Sequence, residues 1–273
     1  MLDYKGCLPV YEGGVIPMLD DAPDIERIAP SYEVFAPTGT PNGKAMIILP
    51  GGGYHNYGRG EALPVAEYFS KIGYVSFIVW YRFVPYRYPA ALYDVQRVIR
   101  NVRRDADKYG IGRNKISLIG FSAGGHLALM AAEKFDCGSP DGEGAGKESC
   151  RPDRVILGYP VVSMLPPYAH SGSACNLLGE KADDEDLLRL LSGELNVRED
   201  CPPMFLWHCK PDDCVDYRGT AALADALTAA GVENRLCLYD DGDHALGLAL
   251  DRPTVPWVKE YLAWDSELDA KGL

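Results

Sequence analysis

From residue 45 onward the chain alternates short, almost wholly apolar runs with longer segments whose apolar residues recur every three to four positions. A strand covered on both faces is apolar throughout, and an amphipathic helix is apolar on one stripe. The alternation therefore calls for βαβ units around a mostly parallel sheet, an α/β fold with helices on both faces. The runs AMIILP (45–50), YVSFIVWY (74–81), KISLIGF (115–121), RVILGYP (154–160), PMFLWH (203–208) and RLCLYD (235–240) are expected strands, and SYEVFAP an edge strand after an irregular lead-in. Helices are expected over 60–72, 89–109, 123–134, 217–230 and 254–268, with Gly73, Gly110 and Gly231 placed where three of them stop. The stretch from about 161 to 202, rich in Pro, Ser, Asp and Glu, interrupts the rhythm and reads as an insertion or small cap. One domain spanning 1–273 is expected, because folds of this class reach that length without dividing.

Charge narrows the partners. With 27 basic and 39 acidic residues the net charge is -12, which repels nucleic-acid backbones and anionic lipid. Arg97, Arg100, Arg103 and Arg104 form the one basic cluster, and their helical spacing is that of a solvated face. No run approaches the roughly 20 apolar residues of a membrane-spanning helix. The opening MLDYKGCLPVYEGG lacks a basic segment followed by an apolar one, so a cytoplasmic setting with neither membrane nor nucleic-acid partner is expected. The eight cysteines are scattered through a large chain, the pattern of free thiols. Cys137 and Cys150 flank a Gly-rich loop where reduced thiols are preferred over a bridge.

The residues GFSAGG, 120 to 125, place G-x-S-x-G at the end of an expected strand and the start of a helix. So sharp a turn leaves no room for flanking side chains, and it holds the Ser122 hydroxyl out above the sheet. The bland alternative is a glycine-rich βα turn with an incidental serine; the strand-then-helix context argues against it. Upstream, LPGGGYHNYG sets three glycines directly after a strand, where backbone amides can face a cavity. Gly52 and Gly53, with the amide of Ala123, are the candidate donors to a developing oxyanion. No Gly-Lys-Ser/Thr follows the glycines, so they are not a Walker loop.

Five histidines allow the base to be chosen by elimination. His55 follows the glycine loop, His126 lies inside the helix after Ser122, His170 is in the polar insertion and His208 ends a strand. His244, in the polar loop after the last strand, sits where a base reaches a serine at the sheet's C-terminal edge. The acid is expected between serine and histidine in chain order, after the penultimate strand, where WHCKPDDCV supplies Asp212 and Asp213. Asp212 is preferred, Asp213 stays open, and Asp216 is better placed as the cap of the following helix. Metal readings of His208, Cys209, Cys214 and the DDGD run fail on spacing, and no cysteine occupies the elbow. Neither metal nor cofactor is expected.

The string YRFVPYRYPAALYDVQRVIRNVRRDADKYGIGRNKISLIGFSAGGHLAL resembles the α/β-hydrolase esterases related to hormone-sensitive lipase, within them the bacterial acetylesterase and acetyl-xylan-esterase-like branch. The resemblance continues through RPDRVILGYPVVSM, SACNLLGE, PPMFLWHCKPDDCV, ADALTAAGVENRLCLYDDGDHALGLAL and WVKEYLAW, nearly everything after residue 40. It implies the α/β-hydrolase fold, Ser122 as nucleophile, Asp212 as acid, His244 as base and Gly52 and Gly53 at the oxyanion. Two positions depart from the family: Pro50 stands where His is frequent, and Ala245 where Gly usually follows the base. PGGGY is itself common in the acetylesterase branch. The implied substrates are small or carbohydrate esters, acetylated xylan fragments among them, with feruloyl esters as the alternative. Fewer than fifty residues precede the glycine loop, too few for the helical cap of hormone-sensitive-lipase relatives, so an open site is expected. Tyr54 and Tyr159, together with Tyr57, Tyr81, Tyr86 and Tyr88, lie near strand ends where rings can stack on a sugar. A peptidase-like amide hydrolase and a non-catalytic binding module rank below the esterase, and a homodimer is left open.

Overall fold

A computed structural model of the chain describes residues 6–24, 27–136 and 148–273. Among the described residues eight strands form one sheet: β1 (Cys7–Pro9), β2 (Ser31–Phe35), β3 (Ala45–Leu49), β4 (Val75–Trp80), β5 (Ile116–Phe121), β6 (Arg154–Gly158), β7 (Met204–Cys209) and β8 (Asn234–Tyr239). Their order across the sheet is β1-β2-β4-β3-β5-β6-β7-β8. The first two strands run antiparallel and the other six are mutually parallel. The helices are α1 (Leu63–Lys71), α2 (Ala90–Arg104), α3 (Ala106–Tyr109), α4 (Ser122–Glu133), α5 (Ser171–Leu178), α6 (Glu185–Leu190), α7 (Tyr217–Ala229) and α8 (Trp257–Lys271). Among the described residues, no helix is long and apolar enough to cross a membrane.

Alternation along the buried strands builds two cores, one on each face. Ile47 and Leu49 of β3 join Val95, Val98 and Ile99 of α2, Leu127 of α4 and Leu223 of α7. Met46 and Ile48 join Val65 and Phe69 of α1 and Trp257, Tyr261 and Trp264 of α8. From β3 the chain crosses to β4 on one side and returns to β5 on the other, so the order reverses between β3 and β5. Leu49 pairs with Gly120 in that register. The segments leaving the two strands, 50–53 and 121–123, therefore emerge side by side in the crevice such a reversal creates.

Three sequence expectations change. The strand at 31–35 is not at the edge, because Cys7–Pro9 pairs outside it; three residues ending in proline are too short to signal a strand. The expected helix over 89–109 divides at Asp105 into α2 and α3. Arg97, Arg100 and Arg103 do not make a solvated face but are buried. Arg103 donates to the Arg151 carbonyl and to Asp153, each at 2.9 Å, and Arg100 to the Glu148 carbonyl at 3.1 Å. The Arg97 guanidinium lies 5.2 Å from the Tyr11 ring. Chain from outside the helix covers them and uses their donors.

The lead-in is anchored by the Arg82–Asp94 pair, whose side chains are both fully buried at 2.7 Å. The Tyr11 hydroxyl donates to Asp94 at 3.1 Å and Arg82 donates to the Pro17 carbonyl at 2.6 Å. Asp216 caps α7, as expected, accepting the Arg218 amide at 2.9 Å. The segment 161–202 holds α5, α6 and short 3-10 turns, and it leans on α4: the Leu191 carbonyl meets His126 Nε2 at 2.8 Å. Seven described cysteines, Cys150 among them, are free thiols; Cys137, named above with Cys150, lies outside the described residues.

Candidate active site

Phe121 ends β5 in extended conformation and Ser122 turns at once into α4 with φ of 52°. A non-glycine residue is rare in that region and costs on the order of 1–3 kcal/mol unless its surroundings hold it there. Those surroundings are glycines. A β-carbon on Gly120 would drive into the Gly124 carbonyl, and one on Gly124 into the Leu49 and Pro50 carbonyls. The strand-to-helix turn and the loop after β3 thus pack backbone against backbone, with the Ser122 side chain at the junction. Gly51 belongs to the same contact, its notional β-carbon falling 2.9 Å from that of Ser122.

Ser122 Oγ lies 2.9 Å from His244 Nε2, and His244 Nδ1 lies 2.6 Å from Asp212 Oδ2. Asp212 Oδ1 accepts the amides of Cys214 and Val215, each at 2.9 Å. Burial alone would raise the Asp212 carboxyl, but hydrogen bonds from His208, His244 and the Val215 amide outweigh it and hold the group well below the usual carboxylate range. A carboxylate only accepts. His244 Nδ1 therefore donates to it, and Nε2 is left as the acceptor facing the serine hydroxyl. The three side chains come from the ends of β5, β7 and β8, so they share one edge of the sheet. Asp213, the alternative acid, is exposed.

Gly52 and Gly53 carry φ of 124° and 63° and are partly exposed in the loop after β3. The Gly52 carbonyl accepts the amides of His55 at 3.0 Å and Asn56 at 3.1 Å. The Gly53 carbonyl accepts the Asn176 side chain of α5 at 2.9 Å. With both carbonyls held, the orientation of this loop is set from within the chain and from the insertion. Ala123 is the second residue of α4, so its amide is one that the helix cannot satisfy.

The two tyrosines expected to stack on a sugar do not fit that role. Tyr54 is 1 % exposed and Tyr159 fully buried. The Tyr54 hydroxyl meets His126 Nδ1 at 2.7 Å, and the Tyr159 ring packs edge-on against His244, centroids 4.9 Å apart. Tyr81 and Tyr86 are buried as well, which leaves Tyr57 and Tyr88 partly exposed. Aromatic residues at strand ends serve here to build the walls behind the site.

Two residues beyond the expected set reach it. His208 Nε2 lies 3.1 Å from Asp212 Oδ2 while its Nδ1 meets Thr220 Oγ1 at 2.8 Å. Glu61 accepts the Gly51 amide at 2.7 Å. His208 stands four residues before Asp212 on the same strand-to-loop turn, a spacing that could have drawn notice; Glu61 has no comparable signal. Among the described residues no group of three or more His, Cys, Asp or Glu is placed to hold a metal ion.

His126 gives the site a pH-dependent support. Burial pushes its imidazole down to about 4, against the bond to the Leu191 carbonyl. The unfolded chain takes up this proton near pH 6.5, the folded one only near 4. Stability is thus complete above 6.5 and falls as the pH drops toward 4, by about 3 kcal/mol from this residue. Urea unfolding at pH 7, 5.5 and 4 should show the decline, and His126→Gln should flatten it; an unchanged slope in that variant would remove His126 as its source.

The BD-FAE family model matches residues 33–227. The chain is 32% identical over 217 residues to an endo-1,4-beta-xylanase B of Butyrivibrio fibrisolvens, covering 78% of this chain and 34% of that protein. It is 31% identical over 211 residues to an acetylxylan esterase of Xylanibacter ruminicola, covering 76% of this chain and 42% of that one. The chain thus spans between about a third and under a half of these curated relatives' length. A crystal structure of an acetyl ester-xyloside bifunctional hydrolase from Caldicellulosiruptor lactoaceticus superimposes with a TM-score of 0.90 at 35% identity, covering 100% of this chain and 98% of that one. The carboxylesterase Cest-2923 of Lactobacillus plantarum, 22% identical with a TM-score of 0.72 over 89% of this chain and 92% of its own, shares the fold.

Proposed function

The chain belongs to the BD-FAE family, and from that premise we propose that it is a serine carboxylic-ester hydrolase that removes acetyl groups from carbohydrate esters such as acetylated xylan fragments. The observation that carries the reading is the hydrogen-bonded line from Ser122 through His244 to Asp212 at a strained strand-to-helix turn. His244 Nε2 takes the Ser122 proton as Oγ attacks the ester carbonyl, and Asp212 holds the resulting imidazolium. The amides of Gly52 or Gly53 and of Ala123 receive the oxyanion. Collapse expels the alcohol with the proton from His244, leaving an acetyl-Ser122 ester. Water, deprotonated by the same imidazole, releases acetate.

The carbohydrate part of the proposal rests on the relatives and on the surroundings of the glycine loop. Asn176 ties Gly53 to α5, and beside α5 lies a cavity of about 710 Å³ lined by Met18, Arg87, Tyr88, Leu177, Glu180 and Lys181. Tyr88 offers a ring face and Arg87, Glu180 and Lys181 offer polar groups to a sugar, beside an apolar wall of Leu177, Leu178 and Leu187.

Initial rates on p-nitrophenyl acetate to octanoate, acetylated xylo-oligosaccharides and methyl ferulate test the reading. Activity should fall as the acyl chain lengthens and be strong on the acetylated sugars. A preference for methyl ferulate would make the chain a feruloyl-type esterase. No Ser122-dependent hydrolysis of any ester would end the proposal in favour of an amide hydrolase or a binding module.

A further inference from the structure

Glu61 takes no part in the line from Ser122 to Asp212, yet its carboxylate reaches both sides of the site. It is 2 % exposed. Its Oε2 accepts the Gly51 amide at 2.7 Å, and its Oε1 accepts the Tyr159 hydroxyl at 2.7 Å. That hydroxyl in turn accepts the Gly247 amide at 2.9 Å. Gly51 adjoins the candidate oxyanion glycines and lies against Ser122; Gly247 is three residues beyond His244. The Tyr159 ring between them packs on the His244 imidazole at 65°. One buried acid thus joins the loop after β3, the end of β6 and the loop after β8.

We propose that Glu61 is a positioning residue for the ester hydrolysis proposed above: it fixes the oxyanion loop and the base loop against each other, and its negative charge favours the imidazolium that His244 becomes. The inference rests on that functional reading. The Gly51 amide can only donate, and the Tyr159 hydroxyl, which accepts the Gly247 amide, donates to the other oxygen, so a carboxylate that accepts through both oxygens matches the pair. Burial raises the carboxyl, while the bonds from Tyr159 and Gly51 and the charge of His244 oppose the rise. Facing Glu61 are Tyr81, Tyr159 and His244; facing His244 are Asp212, His170 and Tyr159.

Glu61→Gln and Tyr159→Phe separate the two effects. The amide introduced by Glu61→Gln keeps the shape but offers one acceptor oxygen where two donors converge, and it removes the charge. In this variant kcat should fall roughly 10- to 100-fold with little change in KM, because the reacting groups lose their mutual placement. Its acid limb of kcat/KM should move to lower pH by about half a pH unit or more, since an unassisted imidazolium forms less readily. Tyr159→Phe keeps the ring on His244 and the charge on Glu61 but cuts the link; it should lose kcat with the acid limb where the wild type has it. Glu61→Gln with wild-type kcat and acid limb, losing only thermal stability, would overturn the proposal. Should that variant not fold, Tyr159→Phe with full kcat would overturn it equally. A wild type without Ser122-dependent esterase activity would instead overturn the functional reading, and the inference with it.

Discussion

Ser122→Ala is expected to lower kcat on p-nitrophenyl acetate by roughly 10⁴- to 10⁶-fold, the range found when a triad nucleophile is removed. The magnitude follows from what remains. The variant still has the oxyanion amides and the imidazole, so it can polarise the carbonyl and deprotonate water, but no acyl-enzyme can form and the single difficult step is no longer divided. Stability should change little, because alanine inherits the same φ of 52° and the glycine packing around it is untouched. A fluorophosphonate probe reports the same residue independently of any substrate: it should label the wild type and leave the variant unlabelled. Retention of more than about 1% of kcat would place the nucleophile elsewhere, since a triad in which each member depends on the others cannot lose its serine so cheaply.

The parts of the molecule legible in the sequence are those governed by local pattern. Ile47, Ile78 and Ile119 sit in almost wholly apolar runs because their strands are covered on both faces, and such runs are visible without knowing what covers them. The elbow is legible for a similar reason: Gly120 and Gly124 are required by a contact four residues apart. Chain order then limits where a base and an acid can fall. What the pattern conceals depends on distant chain. Arg97 and Arg103 have the spacing of a solvated face, and nothing in α2 reveals that Tyr11 and Asp153 cover them. Tyr54 and Tyr159 stand at strand ends, as sugar-stacking rings would, but Tyr54 packs inward on His126 and Tyr81, and the base loop meets Tyr159. Glu61 is hidden for the same cause, since its partners Gly51 and Tyr159, and Gly247 beyond them, meet only once the sheet is assembled.

Asp212→Asn should cost roughly 10⁴-fold in kcat, the loss that follows when the orienting acid of such a triad becomes an amide. Asp213→Asn should stay within about twofold, as exposed substitutions away from partners do. The asymmetry can be derived from the hydrogen bonds. Asp212 Oδ1 accepts two amides, from Cys214 and Val215, so an asparagine must place its one oxygen there. Its NH₂ then faces His244 Nδ1 and His208 Nε2, which the carboxylate oxygen now serves at 2.6 and 3.1 Å. The amide donates to His244 Nδ1, moving the ring proton to Nε2, where it points at Ser122 and bars the imidazole from accepting the hydroxyl proton. The loss should therefore appear in kcat rather than KM, with the fold intact. His208→Gln should not restore it, because the fault lies in the tautomer of His244. A greater loss in Asp213→Asn than in Asp212→Asn would transfer the role to Asp213 and contradict the geometry of the loop after β7.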